Sequence, residues 1–319
     1  MSPIARREFI AGMAATTAIT AASPLVTLAE SSSPFRVSVI NDEISQDFGH
    51  VCEVASHEFG MGWIELRGMW KKNIVNLDEK EVAEARSLIE KYQLRVTDIA
   101  SPLFKTDWPG APKSKYSEAK NFNAAFDWKQ QDEVLERAVE MAKAFSTDRV
   151  RCFDFWRLED QAPYRAAIND KLREAAEKAA KKNIILVLEN EHACNTATGA
   201  EAAKVLSAVQ SPAFMLNWDP GNAVLQGEIP FPDGYKLLPK DRIGHCHCKD
   251  AVKKGSKYDW APMGGGLIDW VGQFRALKAD GYRLAVSLET HWNGGGSPEE
   301  SSRKSWAGMK KLLEEAGAI

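Results

Sequence analysis

From residue 36 onward the chain alternates short apolar runs with longer amphipathic stretches. The apolar runs fall at 36–41 (RVSVIN), 62–67 (GWIELR), 94–101 (LRVTDIAS), 148–154 (DRVRCFD), 184–190 (IILVLEN), 213–219 (AFMLNWD), 242–249 (RIGHCHCK) and 283–289 (RLAVSLE). Each is bounded by turn residues or charge, and each reads as a β-strand. Between them the apolar residues recur at helical spacing, most clearly over 78–92, 130–145, 163–182, 198–209 and 299–315. The last of these has Ser297 as N-cap, Pro298 in the first turn and Gly317 just past its end. The intervals 48–59, 221–239 and 267–280 fit helices less cleanly. Eight strands alternating with about eight helices predict a parallel sheet, and eight such units in one domain predict a closed (β/α)8 barrel over 36–319. An open, doubly wound sheet is the alternative. It needs a glycine-rich phosphate turn after the first strand, and residues 41–48 (NDEISQDF) contain no glycine.

Two connections are long. Residues 102–129 hold Pro102, Trp108, Pro109 and Trp128, and residues 250–266 end in Gly264-Gly265-Gly266. Both follow strand C-termini, where such a barrel carries its chemistry.

The last four strands end in charge. Strand five ends in Glu189, strand six in Asp219, strand seven in His247 and strand eight in Glu289. Each follows an apolar run that a folded barrel buries, and a buried charge is costly unless it is paired or metal-bound. Three of the four are anionic and would repel one another. One divalent cation removes that repulsion, and the donor set suits Mn2+ first, with Mg2+, Co2+ or Zn2+ as alternatives. Glu189 to Asp219 is 30 residues and Asp219 to His247 is 28, one βα unit each. Taken alone, any one of these residues reads equally well as a helix cap or a lysine partner.

Side chains on a strand alternate, so His245 and His247 share the inward face. His247 lies nearer the mouth and is the ligand of choice, which leaves His245 as a partner behind it. Lys249 shares that face and reads as a substrate contact, a base or a salt-bridge partner of a barrel acid. Cys246 and Cys248 then face the helices, away from any metal. Five cysteines without regular spacing make no disulfide framework, so they read as small buried hydrophobes.

The formal net charge is −3 and the basic residues are dispersed, which argues against a nucleic-acid partner. Residues 1–30 stand apart from the barrel pattern. Arg6-Arg7 with Phe9, an apolar run and a small-residue end at Thr27-Leu28-Ala29 read as a twin-arginine signal peptide, with 31–35 as a linker. That predicts an exported, periplasmic protein with no stable membrane insertion after the leader is removed.

NDEIS at 41–45, IELR at 64–67, LENEH at 188–192, NWDPGNA at 217–223, GHCHCKDA at 244–251 and SLETHW at 287–292 together resemble the xylose-isomerase-like TIM-barrel superfamily, in particular its sugar phosphate isomerase/epimerase group. The resemblance covers about 36–316. It implies a divalent metal held by Glu189, Asp219, His247 and Glu289, with Glu189 and Glu289 also acting as an acid/base pair through an enediolate. The chain departs from the epimerase pattern at Asn222, where a histidine is common three residues after the ligand aspartate. Asparagine can hydrogen-bond a hydroxyl but cannot shuttle a proton. Export also argues for an unphosphorylated sugar or keto-sugar.

Glu43, Glu65 and Arg67 end strands one and two and are candidate substrate contacts, together with Asn222, His245, Lys249, Trp108 and Trp292. Trp70, Trp156 and Trp260 add aromatic faces near strand ends, and such faces pack on sugar C–H groups. The expected function is a metal-dependent isomerase or epimerase. A lyase or hydratase on 3-keto-glycosides is the alternative within enzymes, and a non-catalytic sugar-binding barrel the alternative outside them. A DNA-repair endonuclease shares the fold but uses three zinc ions and many histidines, and this chain has only six histidines.

Overall fold

A computed structural model describes residues 33–117 and 126–319. The signal-peptide reading of residues 1–30 lies outside the described residues.

Eight parallel strands form the core: β1 Arg36–Val39, β2 Trp63–Leu66, β3 Arg95–Leu103, β4 Arg149–Cys152, β5 Ile185–Glu189, β6 Phe214–Trp218, β7 Ile243–Cys248 and β8 Ala285–Leu288. Their order in the sheet is β1-β8-β7-β6-β5-β4-β3-β2. The two end strands meet through an Ile40–Glu65 bridge, so the sheet curls into a nearly closed barrel. All eight strands lie where the apolar runs place them. β3 is the longest and stays buried from Val96 to Leu103, because helices cover one side of it and the barrel lumen the other.

The main helices are α1 Phe48–Glu53, α2 Glu79–Lys91, α3 Gln131–Ala144, α4 Arg165–Ala180, α5 Gly199–Ala208, α6 Pro220–Leu225, α7 Trp270–Ala279 and α8 Pro298–Glu315. Their starts follow local chemistry. Thr198 accepts from Glu201 N while the Glu201 side chain returns to the N-cap backbone, a reciprocal cap on α5. Ser297 accepts from Glu300 N at α8, with Pro298 in the first turn, and Gly317 takes φ 63° after it. The three weakly patterned intervals are irregular for cause. α1 runs on into a wide turn at Val54–Glu58, α6 stops after six residues before Pro230–Gly234, and α7 occupies only 270–279.

The apolar layer lies between strands and helices. Trp218 and Trp270 are fully buried there, and Trp218 Nε1 donates to Gln273 Oε1 at 3.0 Å, so its polar atom is satisfied. Burying such side chains contributes about 1.5–3 kcal/mol each. Cys246 and Cys248 pack in this same layer, away from the lumen. After β7 the glycine-rich insertion folds into an antiparallel hairpin, Asp250–Lys254 with Lys257–Ala261, that carries Trp260. No helix among the described residues is long and apolar enough to cross a membrane.

Candidate metal centre

The four strand-end residues converge. Glu189, Asp219, His247 and Glu289 are all buried, and one ligand atom from each lies within 4.8 Å of the others. Glu189 ends β5 and His247 lies inside β7, while Asp219 and Glu289 sit one residue past β6 and β8. Asp219 is also the N-cap of α6, and its Oδ1 accepts from Asn222 N at 2.9 Å. That bond fixes the carboxyl and turns Oδ2 toward the cluster.

His247 is held from behind. Its Nε2 lies 2.9 Å from Glu65 Oε1, so Nε2 carries the proton and Nδ1 faces the carboxylates. Nδ1 lies 3.3 Å from Glu289 Oε2, 3.6 Å from Asp219 Oδ2 and 3.7 Å from Glu189 Oε1, yet makes no hydrogen bond. His245 sits one layer deeper. Its Nδ1 lies 3.1 Å from Asn217 Oδ1, and its Nε2 lies 3.1 Å from Asp98 Oδ1.

Cations surround the acids. Arg67 donates to Asp42 at 2.8 Å, Glu43 at 2.7 Å and Glu289 at 2.8 Å. Arg151 Nη1 stands 3.1 Å from Glu189 Oε2. Lys249 Nζ donates to Glu289 Oε2 at 2.5 Å and lies 2.8 Å from Asp219 Oδ2. The second contact is an ion pair whose angle makes no hydrogen bond, so Asp219 Oδ2 has no hydrogen-bond partner. The same holds for Glu189 Oε2 against Arg151.

Burial alone would raise the Glu289 carboxyl, but His291, Lys249 and His247 more than offset it and hold it well below the ordinary range. Burial likewise opposes ionisation of Glu189, and Arg151 with His247 brings it down. Burial disfavours the charged imidazole of His247, but Glu65, Glu289 and Glu189 raise it well above its usual value. The site is therefore a set of ionised carboxylates around one imidazole that they hold in its charged form, and Nδ1 gives up its proton when it ligates a metal. Three of its atoms, Glu189 Oε2, Asp219 Oδ2 and His247 Nδ1, are buried without a hydrogen bond. Glu189 Oε2 is turned to Arg151, so the oxygens that face His247 Nδ1 are Glu189 Oε1, Asp219 Oδ2 and Glu289 Oε2, and three carboxylate oxygens with one imidazole nitrogen fit a small divalent cation.

The structure separates the other candidates by position. Glu65 is not on the rim but fully buried beneath His247. Arg67 and Glu43 do lie near the mouth, joined to Glu289 and to His291 rather than standing free. Asn222 bridges the centre to its wall, donating to Glu189 Oε1 at 3.1 Å and lying 3.0 Å from His192 Nδ1. Trp108 packs edge-on against Trp128 and Phe155, with ring centroids 5.2 and 4.8 Å away. Trp292 lies beneath the Lys304 ammonium, 5.9 Å from its ring centre.

Three residues at the centre went unnamed in the sequence reading of the site. Arg151 is visible as the inward arginine of an RVRC strand, His192 as the last residue of LENEH, and His291 as the fifth of SLETHW. What hid them was pairing across elements. Trp260 sets its ring edge-to-face against both histidines, 6.0 Å from His192 and 5.4 Å from His291, and lies 5.0 Å from Lys249 Nζ. The hairpin thus roofs the centre.

The fold recurs in solved structures. A probable 3-DHS dehydratase from Bacillus anthracis is 18% identical, with a TM-score of 0.66 over 87% of this chain and 98% of that one. The 3-keto-D-glucoside 4-epimerase of E. coli is 18% identical, with a TM-score of 0.64 over 87% and 99%. The IolI protein, determined with a bound zinc atom, is 15% identical, with a TM-score of 0.67 over 89% and 99%. The family model described as xylose isomerase-like TIM barrel matches residues 54–312, a span that takes in every barrel strand but the first and all four converging side chains. On that match, the chain is a member of the xylose isomerase-like TIM barrel family.

Proposed function

We propose that this chain is a divalent-metal-dependent isomerase or epimerase acting through an enediolate on an unphosphorylated sugar or keto-sugar. The observation that carries this reading is the meeting of Glu189, Asp219, His247 and Glu289 at one buried point, where three carboxylate oxygens face His247 Nδ1. When bound there, Mn2+ or a similar ion supplies Lewis-acid stabilisation of adjacent substrate oxygens. The chain's own groups do the rest. Glu289 and Glu189 are the carboxylates that take and return a proton at the carbon beside the carbonyl. Arg67 and Arg151 hold their outer oxygens. Asn222 and Lys249 set the polar wall, His245 lies too deep behind His247 to meet the substrate, and Trp260 offers an aromatic face to the sugar's C–H side.

A second reading is a lyase or hydratase on an oxidised glycoside. It is favoured by the guanidinium on each glutamate, which keeps both carboxylates anionic, while His192 and His291 lie beside Trp260, each against a further carboxylate, Glu191 at 2.6 Å and Glu43 at 3.1 Å. An elimination needs one base and a separate proton donor for the leaving group, and a histidine suits the second part.

The deciding experiment incubates the Mn2+-loaded protein with a panel of ketoses and 3-keto-glycosides in D2O. Deuterium at the carbon next to the carbonyl supports the isomerase or epimerase. Release of an aglycone favours the lyase. Intact Mn2+ binding with neither signal rejects both and leaves a sugar-binding barrel. Glu289→Gln abolishes turnover, and full activity in that variant would sink the site assignment. We further propose that residues 1–30 direct export. Cell fractionation checks this, and a full-length chain kept in the cytoplasm overturns it.

A further inference from the structure

Lys249 is buried to 1% exposure among the ligands. Its Nζ stands 2.5 Å from Glu289 Oε2, 2.8 Å from Asp219 Oδ2 and 3.9 Å from Glu189 Oε1. These are the same three oxygens that face His247 Nδ1. The ammonium therefore already engages the atoms a metal would need. An ion bound at about 2.1 Å to both Glu289 Oε2 and Asp219 Oδ2 would meet it at contact distance, with like charges opposed. The two cations cannot both use this seat.

The surrounding fold is shaped for the lysine. A Cβ at position 221 would fall 2.6 Å from Lys249 Cγ, so the glycine at the start of α6 is what lets the side chain reach in. On the other side, the Trp260 ring lies 5.0 Å from Nζ and offers an aromatic face to a displaced ammonium. Arg67 and Arg151 pair with the outer oxygens of Glu289 and Glu189, but among the described residues Asp219 pairs only with Lys249 at 2.8 Å and with His247 at 3.6 Å, so without the ammonium its buried carboxylate would lose its close cation.

We propose that Lys249 is the built-in counter-ion of this centre: its ammonium holds Asp219 and Glu289 together before metal arrives, and the metal enters by displacing it toward Trp260. The proposal rests on reading the four residues as a metal centre. It goes beyond that reading by making metal affinity the outcome of a competition inside the protein. The lysine keeps the empty barrel folded, and it weakens the metal it gives way to.

Lys249→Met keeps the stem and removes the charge. Its Mn2+ affinity, measured by calorimetry on chelator-stripped protein, is expected to rise at least about tenfold over wild type. In chelator the variant should unfold at a lower temperature than wild type, and Mn2+ should raise its midpoint by more. If the variant does not fold without metal, it is expressed and refolded in Mn2+. Folding only with Mn2+ supports the proposal, and failure to fold in saturating Mn2+ overturns it. Equal or weaker Mn2+ binding in Lys249→Met overturns the counter-ion role while leaving the metal centre standing. Absence of Mn2+ binding in both proteins overturns both. No substrate enters these measurements, so failure of the sugar reading does not touch them.

Discussion

The two ring nitrogens of His247 face different environments, and that division fixes the imidazole's chemistry. Nε2 lies 2.9 Å from Glu65, and Nδ1 looks into the carboxylates. Glu65 therefore acts through His247, by choosing its tautomer and orienting its ring. Partners of this kind typically contribute 10–100-fold to metal affinity. Glu65→Gln is expected to weaken Mn2+ binding by about that range, read by calorimetry, and an unchanged dissociation constant would remove Glu65 from the centre. Its position was not legible in IELR. A glutamate at the end of the second strand reads as a rim residue until the barrel closes and brings it beneath a strand 182 residues away.

At the scale of elements, the clearest devices lie at the junctions between strands and helices. Glu201 is one of them. Its carboxylate caps α5, accepting from Ala197 N and Thr198 N, and pairs with Arg157 at 2.6 Å. Burial pushes the Glu201 carboxyl up, but Arg157 and the backbone donors outweigh it and leave it below the ordinary value of 4.5. A folded-state value below the unfolded one means stabilisation that is complete above pH 4.5 and lost as pH falls through the lower value. Glu201→Gln should therefore cost about 1 kcal/mol at pH 7 in urea titrations. That deficit should shrink toward zero in acid, and a deficit that does not change with pH would show that the charge is not what matters. The helix itself was readable over 198–209, because its apolar residues recur at helical spacing, whereas its reciprocal cap shows only in the fold. The hairpin at Asp250–Ala261 was not, since its short polar strands carry no apolar period of their own. It is pinned instead by Asp250, whose carboxylate accepts from Gly264 N, Gly266 N and Ile268 N.

For the whole molecule, the centre couples four strands that are otherwise joined only through their neighbours. A ligand that binds the folded chain alone stabilises it by about 2.7 kcal/mol at a hundredfold excess over its dissociation constant. Mn2+ should then raise the unfolding midpoint by several degrees, and a chelator should reverse the shift; calorimetric scans with equal midpoints in both conditions would reject the metal centre. The amino-acid sequence by itself determined the barrel. Alternating apolar runs and helical periods are local, and eight of them in one domain have few ways to pack. It also determined which four residues converge, since a charge ending a buried strand must find a partner and four adjacent strands place theirs at one mouth. Only the tertiary structure decided what surrounds them. Arg67 reaches Glu289 across 222 residues and Lys249 reaches it across 40. Trp260 closes over the centre from a hairpin, while Trp108 turns to its own aromatic cluster. Those outcomes depend on which side chains the closed barrel brings within a few ångströms, and no local pattern in the chain encodes that distance.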